Sequence, residues 1–411
     1  MRRFLVVAVL VAACTRSSPA PPRASAEPSG TVAKPLVPDA GTRRPAALAA
    51  VRGREGFVVG VTPDGKRALL RLEDAKESWV DPMFRWIDIA TNTVVEEWSE
   101  PALQGLPRET MTDSQAVRSK PSVTGADLEA DVARHAASLL AVGARDERFG
   151  ASPASSAFNV GDWLHVADTR TGKVGARLSA DASYYPHVTP EGAFVVYSRE
   201  VGLLDGVVGN YMPFVAPLPA GAPSRRLDVK DVDGELMELS ADGRTLYVQS
   251  GHEKPEGGCL VGVEIAPPSR TRSLFCVAKD ERIDGVRFSK SRAFAVVMAR
   301  KGNTGPTRAV WIHLPDGTHL GELVQPGVFQ VAAVTDAGVG LAELSSSARG
   351  ESALADPAAR RLESVQTGVS LPYAFYGAAW LDASRFVLSS GGGVDVVDLA
   401  TAPRTTLPWP P

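Results

Sequence analysis

Cysteine, histidine and surplus charge are scarce in this chain, and each shortage removes a class of protein. Three Cys and six His in 411 residues are too few for a disulfide-dense scaffold or a multi-metal protein. Lys and Arg number 44 against 47 Asp and Glu, for a formal net charge of −3. That excludes a nucleic-acid binder working through a basic surface. No Gly-x-Ser-x-Gly elbow, His-Glu-x-x-His pair or Walker loop occurs, so no catalytic residue, metal site or cofactor is expected. What is present suits a folded chain: 44% of residues are hydrophobic and mean hydropathy is −0.04, enough to bury a full core. Gly at 38 and Pro at 31 favour many tight turns over long helices.

The first residues read as an export leader. Arg2 and Arg3 form a positive n-region, and Phe4 to Ala13 is an apolar run too short for a permanent membrane helix. The run ends Val11-Ala12-Ala13-Cys14, which resembles the lipobox of bacterial lipoproteins, with Val11 where Leu is commoner. That resemblance implies removal of residues 1–13, a diacylglycerol thioether on Cys14 and an acylated new N-terminus. Thr15 stands where Asp retains many lipoproteins in the inner membrane, so the resemblance points to the outer membrane or the periplasmic face of the envelope. Residues 14–47 are rich in Pro, Ala and Ser, with few large apolar groups to offset ordering entropy. They read as a flexible tether that spaces a domain from the membrane. The expected partners are the membrane, through Cys14, and a protein or other envelope component held by a monomer.

Residues 48–411 repeat one pattern: an apolar strand, a small polar turn, and a second alternating strand. The clearest copies are Val61-Thr62-Pro63-Asp64-Gly65-Lys66, Val188-Thr189-Pro190-Glu191-Gly192 and Leu239-Ser240-Ala241-Asp242-Gly243. Weaker ones surround Lys290, Ala337 and Ala383, and a degenerate copy is placed near Arg134. Pro, Asp and Gly preset the dihedrals of a tight antiparallel reversal. Beyond a first interval lengthened by a polar insertion at 101–126, the spacing settles at roughly the 40–50 residues of a propeller blade. A second hairpin signal lies downstream in Trp86-Ile87-Asp88, Trp163-Leu164-His165, Trp311-Ile312-His313 and Val396-Val397-Asp398. Two hairpins per repeat predict an all-β chain, a single β-propeller of about seven four-stranded blades. A β-sandwich array fits less well, because one period persists without a linker. The Thr-Pro-Asp-Gly-Lys turn resembles the WD-repeat-like blades of exported bacterial propellers, including the TolB type, although the Gly-His and Trp-Asp pairs of eukaryotic WD repeats are missing. Residues 46–51 are expected to complete the ring by pairing with the blade that holds Val394 to Val397.

Several constellations resolve into structure rather than chemistry. Gly391-Gly392-Gly393 reads as a turn, since no helix pattern follows it. His165 and His313, expected at one position of two different blades, would lie on separate spokes and share no metal. Trp86, Trp163 and Trp311 read as blade-packing residues. Asp231-Val232-Asp233-Gly234-Glu235 begins like a calcium loop but lacks the later ligands. The Asp-Thr-Arg-Thr-Gly turn at 168–172 faintly resembles quinoprotein propeller repeats, yet a plain outer hairpin accounts for it.

Cys259 and Cys276 flank a hairpin centred on Pro267-Pro268, in which paired residue numbers sum to 535. The two sulfurs then face each other on one side of the sheet. In an oxidising compartment, with Cys14 consumed by lipid, they are expected to form a structural disulfide. Recognition is expected on insertions, 101–126 and the apolar 201–213, with Tyr184, Tyr185 and Tyr211 as aromatic candidates. The function this supports is a lipid-anchored, non-enzymatic binding or scaffold module. The alternative is a lactonase- or lyase-like propeller enzyme whose active residues meet only at the channel mouth.

Overall fold

A computed structural model describes residues 54–409 except 75–81, 104–124, 145–147, 161–162, 180–182, 205–207, 219–222, 230–231, 251–256, 303–304, 326–329, 344–350, 367–377, 383 and 391. The leader, Cys14, the tether and residues 46–51 lie outside this set. The described chain is all-β with one helix, and its small antiparallel sheets form a seven-bladed propeller. The blades span 54–99, 149–179, 183–226, 232–276, 281–325, 330–366 and 378–398.

The alternating pattern of the strands builds the ring. In the second strand of blade 5, Phe294–Lys301, Ala295, Val297 and Ala299 pack toward blade 4, while Val296 and Met298 pack toward blade 6. A period of two thus places apolar side chains on both faces of every blade. Seven buried clusters result, one for each contact between neighbours. The seventh joins Val387 and Val394 of blade 7 to Val58, Val61, Ala68, Leu70 and Ile87 of blade 1, which closes the circle. Two polar ties cross the same seam: Arg85 Nη1 donates to the Gly392 carbonyl at 3.1 Å, and Val394 N–H donates to Asn92 Oδ1 at 3.0 Å.

The turn chemistry repeats in geometry as it does in sequence. Thr62 N–H donates to the Arg67 carbonyl at 2.9 Å, Thr62 Oγ1 and Lys66 N–H donate to Asp64 Oδ1, and Gly65 takes φ +69°. Blade 4 reproduces this with Ser240, Asp242 and Gly243. In blade 5 Arg292 occupies the glycine position at φ +57°, a strained choice for a residue with a Cβ.

Three departures from the sequence expectation stand out. Arg134 is not in a turn: it lies in the helix Gly125–Val142, and the corresponding turn of blade 2 is the tight Ser152–Ser155 reversal. Leu128, Val132, Ala136, Leu139 and Val142 line the buried side of that helix, at the i, i+4 and i+3 spacing that betrays an amphipathic helix. The blades also do not all hold four strands. The last described strand, Arg404–Leu407, pairs with the outer strand of blade 6, Arg361–Gln366, so among the described residues blade 6 has five strands and blade 7 has three. Finally, His165 is the third residue of its strand and His313 the last of its own, so the two do not share a register. Trp163 likewise opens its strand, while Trp86 and Trp311 sit two residues from the ends of theirs.

The disulfide is present: Cys259 pairs with Cys276. The route to it is less direct than the sum of 535 suggests. Next to the Pro267-Pro268 turn the pairs Val263–Thr271 and Gly262–Arg272 sum to 534, and a register shift beyond Val261 restores 535 at Leu260–Phe275 and Cys259–Cys276. Without that extra residue near Leu274, Cys259 would face Phe275 and the sulfurs would lie on opposite faces.

Candidate functional site

Strand parity gives the propeller two unlike ends. The first-to-second and third-to-fourth strand turns of each blade lie at one end, and the second-to-third connections at the other. The first end is lined with Asp side chains that cap their own turns. Thr91 N–H and Oγ1 both donate to Asp88 Oδ1, at 2.9 and 2.8 Å, and Thr171 does the same for Asp168. These hydrogen bonds to the charged form hold Asp64, Asp88, Asp168 and Asp242 below the usual carboxylate range. Asp382 is lowered to about 2, chiefly by the Ser384 N–H and by Arg385. Each carboxylate is thus accounted for by its own turn.

The other end carries the most distinctive projection. The strands Phe194–Leu204 and Val208–Pro217 of blade 3 outrun the sheet. The inner strand, Ser183–Val188, accompanies them only as far as Arg199, whereas the pair itself continues through Glu200–Tyr211 to Leu204–Val208. The apolar insertion at 201–213 is therefore a two-stranded arm, with Val201 exposed. Tyr184 pairs with Ser198 on the inner side of the arm's root. Tyr211 is half-buried and pairs both with Glu200 and with Val232 of blade 4. Tyr185 is different. It sits where the register shifts between Val196 and Ser198, takes φ +55° and packs on the cluster between blades 3 and 4. A bulky residue in the left-handed region marks a strained bend. The structure thus brings Tyr184 and Tyr211 to one sheet at the foot of the arm and turns Tyr185 inward.

A second polar site escaped the sequence reading. Between blades 1 and 2, Glu100 is fully buried and His135 of the helix nearly so. Trp98 Nε1 donates to Glu100 Oε1 at 2.9 Å, and His135 Nδ1 meets Glu100 Oε2. The imidazole is clamped edge-on to Phe84 at 4.9 Å and tilted against Phe149 at 4.5 Å. Asp131, one turn earlier, accepts the Ala102 N–H at 3.1 Å. An i, i+4 Asp-His pair on an apolar helix face was the signal that would have found it. The cavity beside it is lined by Arg71, Pro82, Phe84, Leu103, His135, Arg148, Phe149 and Asn159 and measures about 20 Å³. That volume holds a water molecule, far below the several hundred Å³ of a small-molecule pocket. This arrangement clamps the helix between two blades.

The remaining histidines do not converge. His165 stacks on Phe158 at 5.6 Å, and burial, with a smaller effect of Arg177, pushes its pKa down. His313 Nδ1 instead lies 2.8 Å from Asp316 Oδ1 within its own turn. Among the described residues no group of three His, Cys, Asp or Glu is placed to hold a metal ion. Of the tryptophans, Trp311 is fully buried between blades 5 and 6, Trp86 packs at the edge of the blade 1–2 cluster, and Trp163 lies under the Arg177 guanidinium at 3.4 Å. Asp233 to Glu235 run within the strand Val232–Leu239 rather than in a loop.

No protein-family model matches the chain, and no curated protein matches it either. Solved structures do. An oligogalacturonate lyase in complex with manganese is similar over 84% of this chain and 90% of its own, at 10% identity and a TM-score of 0.52. An oligogalacturonate lyase from Vibrio parahaemolyticus covers the same shares at 8% identity and a TM-score of 0.51. A prolyl endopeptidase matches 86% of this chain with 49% of its own, at 13% identity and a TM-score of 0.46. The two lyases share this chain's propeller fold. At such identities the likeness extends to architecture alone.

Proposed function

We propose that this protein is a lipid-anchored β-propeller of the bacterial cell envelope that binds a protein or another envelope component and catalyses no reaction. In this reading residues 1–13 direct export, Cys14 carries the lipid, residues 14–47 are the tether, and a monomeric propeller of the WD-repeat-like, TolB type presents the binding surface toward the periplasm. The observation that carries it is the blade 3 arm. Beside described turns such as 62–66, 88–91 and 240–244, which are short and self-capped, the blade 3 hairpin extends beyond its sheet, with Tyr184 and Tyr211 at its foot. Aromatic anchors on an element held by a rigid frame are the usual makings of a recognition surface. The enzymatic alternative draws on the two lyase neighbours for architecture only.

Two measurements test the proposal. The wild-type chain should partition into detergent while the Cys14→Ser chain stays soluble or unprocessed, and an unmodified mature N-terminus in mass spectrometry would remove the anchor. A photocrosslinker at Val201 should capture a defined envelope component in intact cells, whereas one at the equally exposed Val324 of blade 5 should not. Capture from neither position, together with turnover of an ester or glycan panel, would transfer the case to the enzyme.

A further inference from the structure

Blades 3 and 4 are not separate sheets. The third strand of blade 3, Val208–Pro217, forms one side of the arm and pairs through Tyr211 with Val232, the first residue of the inner strand of blade 4. The two blades thereby join as one eight-stranded sheet. Among the described residues this is the sole pairing between those two strands. The same row continues across blade 4: Val232 pairs with Ser250, Ser250 with Cys259, and Cys259 with Cys276. One cross-sheet row thus runs from the foot of the arm to the disulfide. Its members are weakly held by their own ladders. The register shifts between Val232 and Met237 and again between Leu260 and Val261, so bulges separate Val232–Ser250 and Cys259–Cys276 from the body of their ladders. Ser250–Cys259 is the end pair of an unbroken ladder, the position at which strands fray first. The disulfide closes the row at its outer end. It is also within reach of solvent, because Cys276 is exposed on the outermost strand while Cys259 is half-buried against the cluster between blades 3 and 4. Exposed disulfides are the readily reduced ones.

We propose that Cys259–Cys276 is a site of thiol–disulfide exchange with a protein dithiol, and that its redox state sets the order of the blade 3 arm. A thiolate of the dithiol attacks the exposed Cys276 sulfur, the Cys259–Cys276 bond breaks, and Cys259 leaves as a thiolate that takes up a proton. The second thiol of the dithiol then attacks the mixed disulfide and releases Cys276. Two electrons and two protons pass to this chain, and the dithiol ends as a disulfide. In the oxidised protein the row is closed and Tyr211 is held on Val232. In the reduced protein the end pairs at Cys259 and Ser250 open, Val232 loses its support, and the outer strand of the arm comes free. Order in the arm before binding favours a partner, so the oxidised form is the one that binds. This last step rests on the arm being the recognition element; the change in order does not.

The test uses the full-length chain, with dithiothreitol as the probe dithiol. Millimolar dithiothreitol should open the bond without denaturant. Amide exchange at 208–212 and 232 should then quicken about tenfold, while the amides of 295–299 in blade 5 keep their protection. The paired change Cys259→Val with Cys276→Val should show the fast arm without reductant and be indifferent to dithiothreitol. A bond that opens only in denaturant overturns the proposal, as does unchanged exchange at 208–212 and 232 in the reduced protein. Loss of protection throughout also overturns it, because the bond would then hold the whole ring and not the arm. Photocrosslinker capture at Val201 should fall about tenfold on reduction. Absence of capture in the oxidised protein would remove the arm as a recognition element, and the exchange measurement, made with no partner present, would still decide whether the disulfide sets its order.

Discussion

Between blades 5 and 6 the fully buried residues all lie on strands: Val296, Met298, Ala309, Trp311 and Leu323 on one side, Val331, Val334, Ala342, Ala353 and Ala355 on the other. Between blades 1 and 2 a helix is wedged into the contact, and it brings buried polar groups with it, His135 against Glu100 and Asp131 one turn earlier. Strands facing strands can be filled by the alternating pattern itself. A helix laid over two blade ends meets carbonyls, chain crossings and the start of a new blade, and its polar groups answer those of the chain around it. A repeat that is interrupted thus exchanges periodic apolar packing for specific polar clamps.

The comparison can be broken in four places. Trp311→Ala, which empties a fully buried site, should cost about 3–5 kcal/mol. Denaturant unfolding measures it, and a loss below about 1 kcal/mol would mean that the blade 5–6 contact relaxes freely. His135→Ala leaves Glu100 buried without its imidazole and should cost about 3 kcal/mol, whereas the paired change Glu100→Leu with His135→Leu should recover most of that loss. If the pair of changes is as damaging as the single one, the clamp is more than a substitute for apolar packing. Reducing Cys259–Cys276, which closes a separation of 17 residues, should cost about 2–3 kcal/mol by chain entropy. The deficit, read from melting with and without reductant, should add to that of Trp311→Ala if the two sites are independent.

The smallest effect concerns the turns. Asp382 has its pKa lowered to about 2 in the fold, so its contribution is complete above about pH 4 and is lost as pH falls toward 2. Asp382→Asn should flatten the acid limb of the stability profile between pH 4 and 2 and leave neutral pH nearly untouched. A limb of unchanged slope would show that the turn carboxylates do not couple to folding.

Much of this architecture is legible in the sequence because short-range chemistry governs it. A turn such as Thr62-Pro63-Asp64-Gly65 contains its own hydrogen-bond partners, and an alternating strand states both of its faces. Cys259 and Cys276 are legible for the same reason, since one hairpin holds both. What could not be read depends on long-range choices. The helix at 125–142 resembles a degenerate turn in sequence because Leu139-Leu140 fall at the spacing that Leu69-Leu70 hold in blade 1. The partner of Arg404–Leu407 is set by competition between two blade edges, not by anything within those four residues. The tyrosines are legible by residue type, but that Tyr185 packs inward depends on a register shift in the inner strand of blade 3.

That final strand also fixes an order of events during synthesis. Blade 6 spans 330–366, yet its outer edge is finished by residues 404–407, and Leu407 and Trp409 pack against the blade 5–6 cluster. The ribosome must therefore release the whole of blade 7 before blade 6 is complete. A chain that stops just short of Arg404 would keep every strand of blade 7 and still be injured one blade upstream, where Leu362 and Val365 would lose the neighbours they pair beside. The strand at 404–407 thus makes the completion of blade 6 conditional on the prior synthesis of blade 7.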